Sequence, residues 1–159
     1  MKHTLSFAIL ALASTALASA AVNPAGHFAR THDVAMHYSG KAACEADQGR
    51  WDGDEDGGFC IFTGAEDSVD VKAGEKGLSV AIDTITTNGH TCSFESDSAV
   101  QSGNKIVAQA KSEAGIDDGD CEVTVTYLDE NTVSVDENGK CKSFCGARAT
   151  LFINQAIRK

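Results

Sequence analysis

Basic side chains are scarce in this chain. There are 13 Lys and Arg against 23 Asp and Glu, a net charge of −10. A surface of that sign repels nucleic acid and anionic lipid, so it excludes both as partners. It favours cations and basic proteins, and acidity also keeps a protein soluble. Long apolar runs are missing too. The most apolar stretch, Leu5 to Leu17, falls short of the roughly 18 to 20 residues that a membrane span needs. Neither a G-x-S-x-G elbow nor a phosphate-cradling P-loop occurs, and no pair of carboxylates stands out for glycoside cleavage. Aromatic residues are few, so a core is expected to be thin and to need covalent support. The chain holds no internal repeat and no low-complexity tract.

What is present begins with MKHTLSFAILALASTALASA, which has the form of an export signal. Lys2 supplies the positive end, the apolar stretch follows, and Ala18-Ser19-Ala20 matches an A-x-A cleavage site. Residues 1–20 are therefore expected to be a signal peptide, with delivery to the periplasm or outside the cell. All six cysteines, Cys44, Cys60, Cys92, Cys121, Cys141 and Cys145, lie beyond it. An even number of exported cysteines reads as a disulfide framework with no thiol left as a nucleophile. A Cys44–Cys60 bridge would close the CEADQGRWDGDEDGGFC unit, with Trp51 packed over it, and contribute about 3 kcal/mol by restricting the unfolded chain. The other four can pair in three ways. Bridges from Cys141 and Cys145 back to Cys92 and Cys121 are favoured, because those two lie on neighbouring strands. A zinc site built from Cys141, Cys145 and His90 is the rival, although its spacing lacks a C-x₂-C pair.

Residues 21–38 read as a loose leader broken by Pro24 and Gly26. Residues 39–159 read as one domain. It would open with a short helix over Ala42 to Ala46, capped by Ser39 and stopped by Gly49. Beyond that, side chains alternate with a period of two. Strands are expected at 78–86, 90–96, 104–111, 121–128 and 132–136, and residues 147–153 read as a last strand or short helix. Asn88-Gly89 signals a two-residue turn that would set Ile85 opposite Cys92 and Asp83 opposite Phe94, with a register one residue away as the alternative. Short strands between turn signals predict an all-β antiparallel sandwich or barrel, stapled by disulfides.

Several groups are candidates for chemistry. Asp52, Asp54 and Asp56 occupy alternate positions in DGDEDGG, as in the opening of an EF-hand loop that wraps Ca²⁺. The closing acid is absent, because Thr63 stands where it belongs. A solvated acidic turn is the alternative. His27, His32 and His37 recur every five residues, which aligns them on neither a helix nor a strand face, so a copper or zinc site is not expected there.

Asn88-Gly89-His90-Thr91-Cys92-Ser93-Phe94, the Cys121–Val125 strand and Cys141-Lys142-Ser143-Phe144-Cys145-Gly146-Ala147-Arg148-Ala149 carry a resemblance. Together they are similar to small secreted bacterial proteins, some of which are compared with periplasmic lysozyme inhibitors. That resemblance covers residues 78–153. It implies a small β-barrel or sandwich that inserts a loop into the cleft of a basic lysozyme. The family's S-G-x-x-Y loop would fall at Ser102-Gly103-Asn104-Lys105-Ile106, which keeps Ser-Gly and has no Tyr. Ser102, Gly103 and Lys105 are the partner-binding candidates that follow, with Lys105 reaching for a carboxylate. Arg148 is a further one, or else a buried arginine paired with Glu95 or Glu122. The expected function is thus non-enzymatic protein binding. A calcium-binding or structural module of the cell envelope is the alternative.

Three bridges make a first prediction. Mass spectrometry of the unreduced protein should show all six cysteines oxidised, and alkylatable thiols in the native protein would refute it.

Overall fold

The computed structural model describes residues 23–54, 57–116 and 119–159. The signal expected over residues 1–20 lies outside them, and so does Asp56. The elements are β1 (Gly26–Met36), α1 (Lys41–Ala46), β2 (Arg50–Gly53), β3 (Gly58–Gly74) and β4 (Gly77–Ile85). They continue with β5 (Thr91–Ser102), β6 (Lys105–Ala110), β7 (Cys121–Tyr127), β8 (Thr132–Glu137) and β9 (Ile153–Arg158). All ladders are antiparallel, in the order β1-β9-β8-β7-β6-β5-β4-β3-β2, and β1 also pairs with β3. That extra pairing closes eight strands into a barrel, so the expected all-β fold takes its barrel form. β2 is a short addition to the far end of β3. Among the described residues no helix is long and apolar enough to cross a membrane.

Alternation explains the closure. Cys121, Val123, Val125 and Tyr127 of β7 face inward, as do Val80 and Ile82 of β4. Phe28, Ile82, Phe94, Ile106, Leu151 and Ile153 are all fully buried in one core. Eight strands enclose a space that side chains can fill, and here they fill it.

The segment expected to be a loose leader is instead β1, at the closing seam. Its pairing with β3 runs from Gly26↔Val71 to Met36↔Cys60. Hydrophobic alternation missed it because charge occupies inward positions. Arg30 pairs directly with Asp67, whose side chain is 1% exposed while that of Arg30 is 34% exposed. Arg30 Nε and Nη2 both donate to Asp67 Oδ2. Ile85 N of β4 donates to Asp67 Oδ1 at 2.9 Å. One carboxylate thereby joins three strands. His32 Nε2 lies 3.2 Å from the same Oδ1, though off the line of a hydrogen bond. The chain before β1 is fastened as well. Tyr127 donates its hydroxyl to the Pro24 carbonyl, and Arg158 donates to that of Ala25 at 2.7 Å while stacking over Phe28.

Three further expectations change. The turn after β4 uses three residues, Thr87–Gly89, with Asn88 and Gly89 at φ 64° and 68°. Thr84 therefore faces Cys92 and Ile82 faces Phe94, one residue away from the two-residue register. Burial decides this: the observed register puts Cys92 and Phe94 on the core face with Ile82. The last strand starts at Ile153, and residues 147–152 are irregular, with Arg148 at φ 67°. Helix α1 forms where expected, but Gly40 stands at its N-cap without a side-chain cap, so Ser39 does not play that part.

The bridges are Cys44–Cys60, Cys92–Cys145 and Cys121–Cys141. The first is as expected, and the other two resolve the open choice. They exclude the zinc alternative, since Cys141 and Cys145 are both bonded to sulfur. Gly49 lies against the first bridge, where a Cβ would come within 2.1 Å of Cys60 Sγ.

The seam yields a stability prediction. Arg30→Ala leaves a carboxylate stranded in the core and should cost about 3 to 5 kcal/mol in chemical denaturation. Asp67→Ala leaves an arginine that reaches water and one unpaired amide at Ile85, so its cost should be smaller, about 1 to 3 kcal/mol. Equal costs would contradict this account of the seam.

Candidate functional site

The β5–β6 hairpin has its turn tied to the neighbouring strand β7. Ser102 pairs with Lys105 across a two-residue turn in which Gly103 takes φ 61°. The Asn104 carbonyl accepts from Tyr127 N at 2.8 Å, and Asn104 Nδ2 donates to the Tyr127 carbonyl at 2.9 Å. Two hydrogen bonds thus anchor the turn to β7. Ser102, Gly103, Asn104 and Lys105 are all exposed, while the next residue, Ile106, is fully buried. Val100 and Leu128 flank the tip and are more than half exposed. On the outer face behind it, β3 to β6 form a groove of about 490 Å³ whose lining includes Asp70, Glu95 and Asp97.

Arg148 does not join this hairpin. Gly146 N donates to the Thr91 carbonyl at the start of β5, and Ser102 ends the same strand. The two ends are roughly 35 Å apart at the usual rise of a strand. Arg148 is exposed and makes no ion pair among the described residues, so the buried pair with Glu95 or Glu122 does not form.

The acidic loop is a hairpin tip between β2 and β3. Asp52 sits in β2 opposite Phe59, and Asp54 Oδ1 accepts from Gly57 N at 3.1 Å. Strands flank it, whereas an EF-hand places its loop between helices. Among the described residues no group of three His, Cys, Asp or Glu gathers as a metal site. The histidines of β1 and its end are dispersed. His27 contacts Asp70, His32 lies by Asp67, and His37 stacks on Phe59 at 4.7 Å.

Sequence reasoning missed one feature. Behind the Cys44–Cys60 bridge, β1, α1 and the β2–β3 hairpin form a lobe with a cleft of about 830 Å³. His37, Tyr38, Trp51 and Phe59 line it, with Lys41 and Asp54. The sequence signal was available: Tyr38, Trp51, Phe59 and Phe62 cluster within one short stretch of a chain poor in aromatics. No family model, no curated protein and no solved structure matches the chain.

Two tyrosines have perturbed acidity. Tyr38 donates to Asp47 Oδ2 at 2.8 Å, and that bond to a carboxylate holds its pKa above the ordinary 10.0. Burial raises that of Tyr127, and the charge of Arg158 partly offsets the rise. Both folded values lie above the unfolded one, so this stabilisation is fully present below pH 10 and is lost as the pH rises through the folded values. Phenolate absorbance should show both tyrosines ionising later than free tyrosine, and Asp47→Ala should lower only Tyr38. A tyrosine titrating at the free value in the native protein would contradict these contacts.

Proposed function

We propose that this chain is an exported, non-enzymatic domain that binds a basic protein through its β5–β6 hairpin. In its concrete form it inhibits a lysozyme by inserting Ser102–Lys105 into the enzyme's cleft. The observation that carries this reading is the anchored hairpin. A loop already held in one conformation loses little entropy on docking. Val100 and Leu128 offer apolar contact beside it, and Lys105 supplies a cation for a carboxylate in the partner. In the groove along β3 to β6 Asp70 and Asp97 already lie beside Lys72 and Lys76, so the attraction for a basic surface rests on the net charge of the chain as a whole. Because the barrel interior is filled, ligands meet this domain from outside. Three disulfides are compatible with an extracellular setting, and delivery to the periplasm or beyond completes the proposal.

Lysozymes of several types, assayed at low and moderate salt with the oxidised protein, test it. Dose-dependent inhibition is expected that weakens as salt rises, because surface charges are screened. Lys105→Ala should weaken inhibition about tenfold, a loss of about 1.4 kcal/mol. Failure to inhibit any type, or inhibition indifferent to Lys105, would reject it. A melting shift with Ca²⁺ that Asp54→Ala abolishes would favour the calcium module instead.

A further inference from the structure

We propose that the cleft of the disulfide-stapled lobe is a saccharide-binding site that receives the pyranose rings of an oligosaccharide. The molecule's interior aromatics, Phe28 and Phe94, are fully buried, as core rings should be. The lobe's rings are treated differently. Phe59 remains 41% exposed, and Trp51 and Tyr38 are only partly covered. Each is nevertheless held in place. Trp51 lies against Gly58, where an added Cβ would meet the Asp52 carbonyl at 2.6 Å and the ring's Cζ2 at 2.8 Å. Phe59 packs on His37 at 4.7 Å, and Tyr38 is fixed by its bond to Asp47 and by Phe62 at 5.5 Å. His37 N is tied to Asn88 Oδ1 at 2.8 Å, which joins this wall to the barrel. Rings that are ordered yet accessible, around one concavity with a few polar groups, have the composition of a ligand site rather than of a core.

The chemistry of the lining selects the ligand class. Aromatic faces carry negative charge density and attract the weakly positive C–H face of a pyranose. Lys41, which also lies 3.7 Å from Glu45, and the Asp54 carboxylate, which accepts from Gly57 N, stand in the lining as donor and acceptor for sugar hydroxyls. A peptide added as an extra strand fits less well. Such recognition needs an open strand edge of some length, and the edge strand beside the cleft, β2, is only four residues long. The site is independent of the β5–β6 hairpin. The contact of His37 with Asn88 puts the lobe at the Thr91 end of β5, whereas the hairpin ends the other.

Trp51 is the chain's one tryptophan, so its fluorescence reports this cleft alone. The test titrates the full oxidised protein with chitotetraose, cellotetraose and maltotetraose, and with tetra-alanine as the peptide probe. At least one oligosaccharide should shift Trp51 emission saturably. By calorimetry, Phe59→Ala should weaken its binding tenfold or more while the melting temperature is retained, and Lys105→Ala should leave it unchanged. The proposal is overturned if no oligosaccharide produces a shift or heat, if Phe59→Ala binds like the parent, or if the peptide alone titrates Trp51.

Discussion

Closure of the sheet depends on the pairing of β1 with β3, and that seam is built around the carboxylate of Asp67. Removed from water, it accepts from Arg30 on one neighbour and from a backbone amide of β4 on the other. A buried ion pair of this kind adds little net stability over an apolar pair of equal size, but it tolerates few alternatives. Sliding β1 along β3 by one residue would turn Arg30 out of reach and leave Asp67 charged and unmatched. The seam thus sets the register at which the barrel closes, and the apolar core is assembled inside that register.

The same arrangement explains which parts of the fold were legible. Strands β4, β6, β7 and β8 follow apolar alternation, and their turn residues mark their ends. β1 and β3 were missed because Arg30, His32 and Asp67 occupy positions where a reader of alternation looks for Val or Ile. The start of β9 was misplaced because an irregularity in its pairing with β8 separates its inward residues Ile153 and Ala156 by three positions instead of two. The Cys44–Cys60 pairing was readable from its compact unit. The hairpin at Asn88-Gly89 was readable as a turn, but its register was not, since burial of Cys92 and Phe94 outweighed the preference of the turn. The candidate hairpin Ser102–Lys105 was recognised by motif. Its anchoring by Asn104 was not visible without the neighbouring strand, and neither was the gathering of aromatics around the lobe.

The barrel separates its two exposed features. At one end lies a short exposed hairpin turn, flanked by apolar side chains. At the other, a lobe outside the eight-stranded ring is held by its own disulfide. The filled interior between them offers no passage or chamber, so each end meets its surroundings on its own. Bridges at Cys92–Cys145 and Cys121–Cys141 bind the irregular stretch before β9 to the starts of β5 and β7. That stretch would otherwise be a long, weakly packed excursion across the barrel.

The place of β9 has a consequence for how the molecule comes into being. The final strand lies between β1 and β8, and Lys159 N reaches back to the carbonyl of His27. A chain that emerges with its N-terminal side leading can form hairpins from β3 through β8, but the ring stays incomplete until β9 follows them. Until then β8 has an open edge, and open edges invite pairing with other chains. Loss of β9 therefore opens the ring on two sides at once, at β1 and at β8.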